Sequence, residues 1–406
     1  MIPFSPPHID QKIIDEVIAT LKSGWITTGA RTKQFEKELA KYTGVSNVLC
    51  QNSATAGLEL MLRWFGVGPG DEVIVPAYTY CATANVVLHC GAKPVMVDVE
   101  DDFNISVTGI EKAITEKTKV IIPVDIGGLP CDYDAINSLV RNNSVQKKFI
   151  PRGDAQKMLG RILVLSDAAH SIGAICNRKK TGSLTDLSVL SFHAVKNLTT
   201  AEGGAVCFNL PEPFNNEQLY LNLSVKSLHG QTKDAFAKAQ KGAWEYDVIE
   251  AGFKSNMPDV LAAIGLTQLE RYDDEILSRR ETIFHKYSKS FALYEWAQLP
   301  VGELIGSSKN LKSSFHLFML RIKGVNELQR NAIIKKIFDQ DVSVNVHFKP
   351  LPMLSLYKNL GYNIKDYPKA FDNYSREISL PVYYDLTDTQ VETVIRATVK
   401  AVEAVI

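Results

Sequence analysis

Short apolar runs rich in β-branched residues alternate with helical patterns between about residues 45 and 210, and no other feature constrains the fold as strongly. Amphipathic segments such as TAGLELMLRWFG and VTGIEKAITEK separate the runs. Strands joined by crossover helices pair in parallel, so the pattern predicts a large α/β domain with a mainly parallel sheet. The expected strands, about seven, are NVLC, EVIVPA, KPVMVDV, KVIIPVDI, RILVLSD, LSVLSF and GAVCFN.

The sequence changes character after residue 257. Residues 257–297 keep helical spacing over an unusually long span, which predicts one long connecting helix. Strand-like SFHLFMLRI and VSVNVHF and a final helix then predict a smaller α+β domain. We therefore expect a large domain over 1–255 and a small C-terminal domain over 256–406. A polar, basic and poorly periodic stretch at 142–161 predicts a surface insertion.

Composition narrows the class of partner. Lys plus Arg and Asp plus Glu both number 45 among 406 residues, so the charge balance favours neither nucleic acid nor an anionic membrane. The opening residues MIPFSPPHID show no leader pattern and no apolar run approaches a membrane span, which predicts a cytoplasmic protein. The six cysteines lack the spacing of a zinc site, so we expect reduced thiols and no metal.

Lys196 stands in SFHAVKNLTTAEGG, directly after a predicted strand and before a glycine pair. Most lysines are solvated surface charges, and Lys196 alone would be read as one. A lysine that is desolvated, or held near another cation, loses its proton readily and forms a Schiff base with a carbonyl. The surrounding segments decide between these readings.

Three further features fall at strand ends or helix starts. Ser53, Ala54 and Thr55 open a helix, where free amides bind phosphate unless the serine is a plain cap. Asp167 ends an apolar strand, where it either caps the next helix or holds a protonated ring nitrogen. Either Tyr78 or Tyr80 offers a ring for stacking on a flat ligand, with core packing as the alternative.

Pyridoxal phosphate requires this combination of a phosphate cradle, an acid, a stacking ring and a Schiff-base lysine. The chain has neither a GxGxxG after its first strand nor a GxxxxGK[ST] segment. The sequence therefore predicts a pyridoxal phosphate enzyme.

At this point the chain resembles the DegT/DnrJ-type nucleotide-sugar aminotransferases, which are fold type I pyridoxal phosphate enzymes. The resemblance runs nearly end to end and rests on eight ordered blocks: GWITTG, NSATAGLEL, GDEVIVPAYTYCATAN, SDAAHSIGA, SFHAVKNLTTAEGG, GFKSNMPDVLAAIGLTQLERYD, VHFKPL and ISLPVYYDLTDTQV.

The resemblance implies a role for each matching position. Lys196 would bond covalently to the cofactor, Asp167 would pair with its ring nitrogen, and His170 would lie near the ring. Tyr80 matches the stacking aromatic, and the phosphate positions are Ser53, Ala54, Thr55 and Ser191. In a homodimer with shared sites, Asn256 would reach the phosphate of the neighbouring subunit. The positions expected to line the sugar-nucleotide site are Thr27, Thr28 and His347.

The chain departs from the family pattern in three places. Asp125, Ile126 and Gly127 stand where many relatives have a histidine and an aromatic residue before a glycine, which is expected to change one wall near the cofactor or sugar. Ser166 replaces a usual glutamate before Asp167. The basic residues of the insertion, Lys147, Lys148, Arg152 and Lys157, belong either to a solvated flap, which we favour, or to a diphosphate site.

The implied reaction moves an amino group from glutamate to a keto-sugar nucleotide, most simply a UDP- or dTDP-linked 4-keto-6-deoxyhexose. Amination at C3 and a cofactor-binding regulator without turnover remain alternatives. Sugar dehydration is disfavoured, because the relatives that remove a hydroxyl have a histidine in place of Lys196.

Overall fold

A large mixed sheet organises the first half of the protein. The computed structural model describes residues 1–233, 245–304 and 310–406. In chain order the first nine strands are β1 (Asn47–Gln51), β2 (Glu72–Pro76), β3 (Lys93–Val97), β4 (Thr118–Ile121), β5 (Leu163–Asp167), β6 (Ile175–Cys176), β7 (Lys179–Lys180), β8 (Leu187–Ser191) and β9 (Gly204–Phe208). Seven of them form one sheet in the order β1-β9-β8-β5-β4-β2-β3. All neighbours are parallel except the two pairs that include β9, which confirms the predicted large α/β sheet.

Helices cover this sheet as the apolar spacing predicts. Those before residue 230 are α1 (Gln11–Lys22), α2 (Ala30–Thr43), α3 (Ala54–Trp64), α4 (Ala82–His89), α5 (Val107–Ala113), α6 (Tyr133–Arg141), α7 (Asn143–Gln146), α8 (Asp154–Leu159) and α9 (Asn216–Lys226). Six of these nine helices start at a side chain that accepts a hydrogen bond from a first-turn amide, namely Asp10, Ser53, Ser106, Asp132, Asn142 and Asn215. These caps fix where the six helices begin.

The C-terminal part is a smaller α+β layer, as expected. Its strands are β10 (Ala297–Gln298), β11 (Glu303–Leu304), β12 (Leu311–Lys312), β13 (Phe318–Ile322) and β14 (Glu377–Leu380), of which β10, β13 and β14 form one antiparallel sheet. Its helices are α10 (Asp259–Leu269), α11 (Ser278–Phe291), α12 (Glu327–Phe338), α13 (Ser355–Asn359), α14 (Pro368–Arg376) and α15 (Asp388–Glu403). Single helical turns lie at Ile126–Gly128, Leu351–Met353 and Ile364–Asp366.

The prediction of one long helix over 257–297 is wrong. The chain leaves helical geometry at Arg271, where φ is −121° and ψ is 16°, and a π-helical turn at Tyr272–Leu277 then leads into α11. The Arg271 guanidinium bonds to Asp10 at 2.5 Å, and Tyr272 Oη donates to the carbonyl of Ile172 at 2.8 Å. These distant contacts break a segment whose apolar spacing continues on both sides, so periodicity gave no sign of the break.

The insertion is ordered against the rest of the protein. Gln156 is fully buried, donates to the carbonyl of Phe65 at 2.8 Å and accepts from the amide of Arg152 at 2.9 Å. The Arg152 guanidinium lies 3.2 Å from the Asp71 carboxylate. Asp71 immediately precedes β2, so the insertion docks at the amino ends of the parallel strands.

Two large apolar clusters fill the interior, and each contains residues from both parts of the chain. One of them includes Leu190 of β8 and Cys207 of β9 together with Phe318 and Ile378 of the small sheet. Shared packing of this kind holds the two layers against each other. The division at residue 255 stays a proposal. Within the described ranges, no helix has the combined length and apolarity that crossing a bilayer demands.

Candidate active site

A cavity of about 490 Å³ opens at the carboxyl ends of the parallel strands. Open α/β sheets bind ligands at this edge, because loops from several strands converge there. The structure brings nine of the predicted residues to this cavity: Ser53, Ala54, Thr55, Tyr80, Asp167, His170, Ser191, Lys196 and His347. The small layer closes the other side with His316, Leu317, His347 and Phe348.

Lys196 follows β8 in a tight turn, where its amide donates to the carbonyl of His193 at 2.9 Å. Burial lowers the pKa of its ammonium to about 8, although the nearby charge of Asp167 acts in the opposite direction. Among the described residues its Nζ has no hydrogen-bond or ion-pair partner. Lys196 is therefore an amine that can exist unprotonated near neutral pH inside the cavity.

Asp167 ends β5 and is 6% exposed. One oxygen accepts from Thr83 Oγ1 at 2.8 Å, and the other accepts from the amide of Ala169 at 3.3 Å. Burial raises the pKa of the carboxyl, while Thr83, Ala169 and the charge of Lys196 act to lower it. A cationic ligand beside Asp167 would offset the cost of burying this charge.

The start of α3 forms an anion cradle. Ser53 Oγ caps the helix by accepting from the amide of Ala56 at 3.1 Å. Within the part of the chain that the structure describes, the amides of Ala54 and Thr55 make no hydrogen bond, and they lie at the positive end of the helix dipole. A Cβ on Gly204 would lie 2.4 Å from the Ala54 nitrogen, so only glycine lets β9 pass this close to the cradle.

The two tyrosines after β2 have different environments. Tyr78 is fully buried and its hydroxyl donates to the carbonyl of His347 at 2.5 Å. Tyr80 is 60% exposed, lines the cavity and faces Phe348 at a ring-centroid distance of 5.9 Å. Tyr80 is thus the available stacking ring, and Tyr78 is a core residue.

His170 is held as a neutral imidazole. Its Nδ1 accepts from the amide of Gly127 at 3.3 Å, so the ring proton resides on Nε2. Burial lowers its pKa well below the usual range. The ring lies 4.4 Å from that of His316, whose Nδ1 is 2.8 Å from the side-chain oxygen of Asn197. The contact between Asn197 and His316 therefore links the residue that follows Lys196 to the small layer.

The departures at Asp125 and Ser166 belong to one buried network. Asp125 accepts from Ser171 Oγ and Tyr133 Oη, each at 2.6 Å, and Tyr133 Oη lies 2.5 Å from Ser166 Oγ. Burial raises the pKa of Asp125 to about 6. The cavity wall does not include Asp125, Ile126 or Gly127. The prediction that their side chains change one wall near the cofactor or sugar is therefore wrong. Gly127 acts through its backbone: its amide donates to His170, and its carbonyl accepts from the amides of His316 and Leu317, each at 3.1 Å.

Thr27, Thr28 and Asn256 do not line this cavity. Asn256 donates to Thr28 Oγ1 at 2.5 Å and accepts from Lys254 Nζ. Thr28 and Asn256 instead line a second cavity, of about 370 Å³, beside α9. The predicted contribution of Asn256 to the site of a neighbouring subunit stays a prediction. The basic residues of the insertion are also absent from the wall, since the insertion lies at the opposite edge of the sheet.

Several wall residues escaped the sequence analysis. Phe4 and Ser5 come from the start of the chain, His316 and Phe348 from the small layer, and Thr83 supports the wall from α4. Thr79 precedes α4, and its hydroxyl lies 3.0 Å from that of Thr83 within α4. The others are isolated polar or aromatic residues in apolar surroundings.

The assembled groups fit pyridoxal phosphate. The free amides of α3 and the hydroxyl of Ser191 suit a phosphate, Asp167 suits a protonated ring nitrogen, and Tyr80 suits the ring face. Lys196 has the lowered pKa that condensation with an aldehyde requires. All of these groups line one cavity.

Comparison with known proteins agrees with this chemistry. A sequence model of the DegT/DnrJ/EryC1/StrS aminotransferase family matches residues 7–148 and 155–399, leaving out only part of the insertion between these ranges. The spore coat polysaccharide biosynthesis protein SpsC of Bacillus subtilis is 36% identical over 401 residues, which cover 98% of this chain and 96% of SpsC.

Solved structures resemble the whole chain. The putative sugar aminotransferase Spr1654 of Streptococcus pneumoniae, in its PMP form, superposes with a TM-score of 0.95 at 44% identity and full coverage of both chains. Helicobacter pylori PseC, an aminotransferase involved in the biosynthesis of pseudoaminic acid, superposes with a TM-score of 0.85 at 28% identity and 99% coverage of both chains. The chain belongs to the DegT/DnrJ/EryC1/StrS aminotransferase family and is a pyridoxal phosphate-dependent enzyme of the sugar aminotransferase type.

Proposed function

We propose that the protein transfers an amino group from glutamate to a keto-sugar nucleotide and releases an aminosugar nucleotide. The observation that carries this proposal is the placement of Lys196, Asp167 and the α3 amides in one cavity. Similarity to SpsC supports a product used in a surface polysaccharide or glycoconjugate. The acceptor we favour is a UDP- or dTDP-linked 4-keto-6-deoxyhexose.

Each residue has a defined task in this proposal. The amides of Ala54 and Thr55 and the Ser191 hydroxyl bind the phosphate, and Asp167 holds a proton on the ring nitrogen. When bound, pyridoxal phosphate supplies a ring that withdraws electrons from the carbon losing its proton. Lys196 Nζ takes a proton from the donor carbon and later returns one to the sugar carbon.

The small layer completes the enclosure. His170 stays neutral beside the cofactor position, so it adds no second positive charge next to Lys196. His347 and Phe348 lie on the side of the cavity left for the sugar, which supports the predicted role of His347. Phe4, Tyr80 and Phe348 add apolar surface to the wall around these groups.

An absorbance experiment tests the reaction. The purified protein is mixed with pyridoxal phosphate, then with glutamate, and then with 4-keto and 3-keto sugar nucleotides. We expect a bound-cofactor band that glutamate bleaches and that one ketosugar restores. Lys196→Ala should form no such cycle, and the exposed α2 variant Lys37→Ala should behave like the wild type. A bound-cofactor band that glutamate never changes would contradict the proposed aminotransfer and would favour a cofactor-binding regulator without turnover.

We also propose a homodimer in which Asn256 serves the neighbouring site. Its position outside the cavity of its own chain supports this arrangement. Mixed dimers of Lys196→Ala and Asn256→Ala subunits test it, because action across the interface leaves one intact site per mixed dimer. We expect activity to return on mixing the two inactive proteins. No recovery in dimers shown to have exchanged subunits would contradict the proposal.

A further inference from the structure

His347 is connected to a buried carboxyl through a serine. Its Nδ1 lies 2.9 Å from Ser379 Oγ, which lies 2.5 Å from Glu377 Oε1. The amide of His347 donates to the other oxygen of Glu377 at 3.1 Å. Glu377 and Ser379 are two residues apart on β14 and therefore share one face of the strand, above which backbone pairing of Asn345 with Ser379 places His347.

His347 offers one free nitrogen to the cavity. Burial lowers the pKa of its imidazole to about 3, so the ring is neutral and carries a single proton. Over residues 1–233, 245–304 and 310–406, Nε2 of His347 has no hydrogen-bond partner, and the ring lines the cavity wall. If Nδ1 donates to Ser379, Nε2 is a hydrogen-bond acceptor. If Nδ1 accepts from Ser379, Nε2 carries the ring proton and is a donor. In either case Nε2 presents this group to the substrate.

The protonation of Glu377 decides the direction of the chain of hydrogen bonds. Oε2 accepts the His347 amide in either state, so a proton on the carboxyl resides on Oε1. An ionised Glu377 accepts from Ser379, which accepts from Nδ1, and Nε2 is then an acceptor. A neutral Glu377 donates to Ser379, which donates to Nδ1, and Nε2 then carries the proton.

The charged and titratable groups around Glu377 come from several elements. Arg330 of α12 donates to the backbone carbonyl of Glu377 at 2.8 Å. Arg321 lies directly opposite Glu377 in the backbone register of β13 and β14. Tyr78 donates to the backbone carbonyl of His347. Both arginines favour the carboxylate, but full burial outweighs them and raises the pKa of Glu377 to about 8. The neutral acid therefore predominates at pH 7.

We propose that Glu377, acting through Ser379, is a positioning residue that sets the tautomer of His347 and thereby the hydrogen bond offered to the substrate. The meaning for the substrate rests on the proposed function, since His347 contacts the sugar only if that function holds. At neutral pH the ring offers an N–H, which suits a carbonyl, carboxylate or phosphate oxygen and gives nothing to a group that can only donate. At higher pH it offers an acceptor.

Nitrogen-15 NMR of histidine-labelled, cofactor-loaded full-length protein tests the proposal, because the two tautomers differ in their nitrogen shifts. His347→Gln identifies the signals of His347. We expect the Nε2–H tautomer at pH 7 and conversion to Nδ1–H through about pH 8. Glu377→Gln must give its oxygen to the His347 amide and its NH₂ to Ser379, so we expect Nε2–H at every pH.

Controls separate this relay from general disruption. Ser379→Ala should abolish the pH-dependent conversion, whereas the exposed variant Glu403→Gln should retain it. If His347 shows the same tautomer at pH 6.5–9.5 in the wild type, Glu377→Gln and Ser379→Ala, the proposal is overturned. The measurement needs no turnover, so its result is independent of whether any ketosugar is accepted. Where turnover exists, we expect the wild-type KM to change about tenfold through pH 8 and that of Glu377→Gln to stay constant.

Discussion

The hydroxyl of Thr83 donates a 2.8 Å hydrogen bond to the carboxylate of Asp167, and it accepts in turn from Thr79 at 3.0 Å. Thr83 therefore holds the acid that is proposed to protonate the cofactor ring. Thr83→Val keeps the shape but removes the donor. Because a hydrogen bond to a charged group contributes about 1.5–3 kcal/mol, we expect the glutamate half-reaction to slow by about tenfold or more. Stopped-flow absorbance measures the rate, and Thr83→Ser should retain it.

The pH dependence of cofactor capture reports on Lys196. Only the unprotonated amine attacks an aldehyde, and burial lowers the pKa of Lys196 to about 8. We expect the rate at which cofactor-free protein captures pyridoxal phosphate to rise with pH and level off above about 8. Asp167→Asn removes a charge that raises this pKa, so its profile should shift to lower pH. A wild-type midpoint near the ordinary lysine value would contradict the burial of Lys196.

Gly204 is predicted to be essential to the phosphate cradle. In Gly204→Ala the new Cβ would meet backbone atoms, the Ala54 nitrogen at 2.4 Å and the Ser53 carbonyl carbon at 2.5 Å. We expect a loss of about 1–3 kcal/mol in the free energy of unfolding and weaker binding of pyridoxal phosphate. Denaturant unfolding and cofactor titration measure the two effects. Gly68→Ala, where a Cβ meets nothing within 4 Å, is the matched control.

Arg161 and Asp186 form a buried bidentate ion pair with two contacts of 2.7 Å at the amino end of β5. Arg161→Met leaves a buried carboxylate without its cation, and we expect the free energy of unfolding to fall by about 3–5 kcal/mol. Adding Asp186→Asn should recover part of that loss. Chemical denaturation measures the free energy of unfolding. The cofactor spectrum should stay unchanged, because this ion pair lies at the amino ends of the strands and the cavity lies at their carboxyl ends.

Sequence alone predicts what local patterns encode. The strand runs and the helix caps are short-range signals, and they are sufficient to place Lys196, Asp167 and Ser53 at the same edge of the sheet, where the cavity lies. Contacts between distant segments leave no such signal. Thr83 meets Asp167 across 84 residues, and His316 meets Asn197 across 119. The break at Arg271 likewise depends on Asp10, which no periodicity shows.

The hydrogen-bonded chain from Glu377 to His347 is a second example of a contact that the sequence alone does not predict. Alternation along β14 predicts that Glu377 and Ser379 share a face, but not which residue of the chain lies opposite them. The pairing of Asn345 with Ser379 supplies that information only in the folded protein. The contact of His347 with Ser379 and Glu377 therefore depends on a strand register that a linear pattern does not specify.

The docked insertion has a practical meaning for work on this enzyme. It is fixed at the amino ends of the strands by Gln156 and Arg152, while the candidate active-site cavity opens at the carboxyl ends. The exposed Lys147, Lys148 and Lys157 therefore offer attachment points for a fluorophore or a surface tether. A label there would report on the protein without entering the path of the substrate.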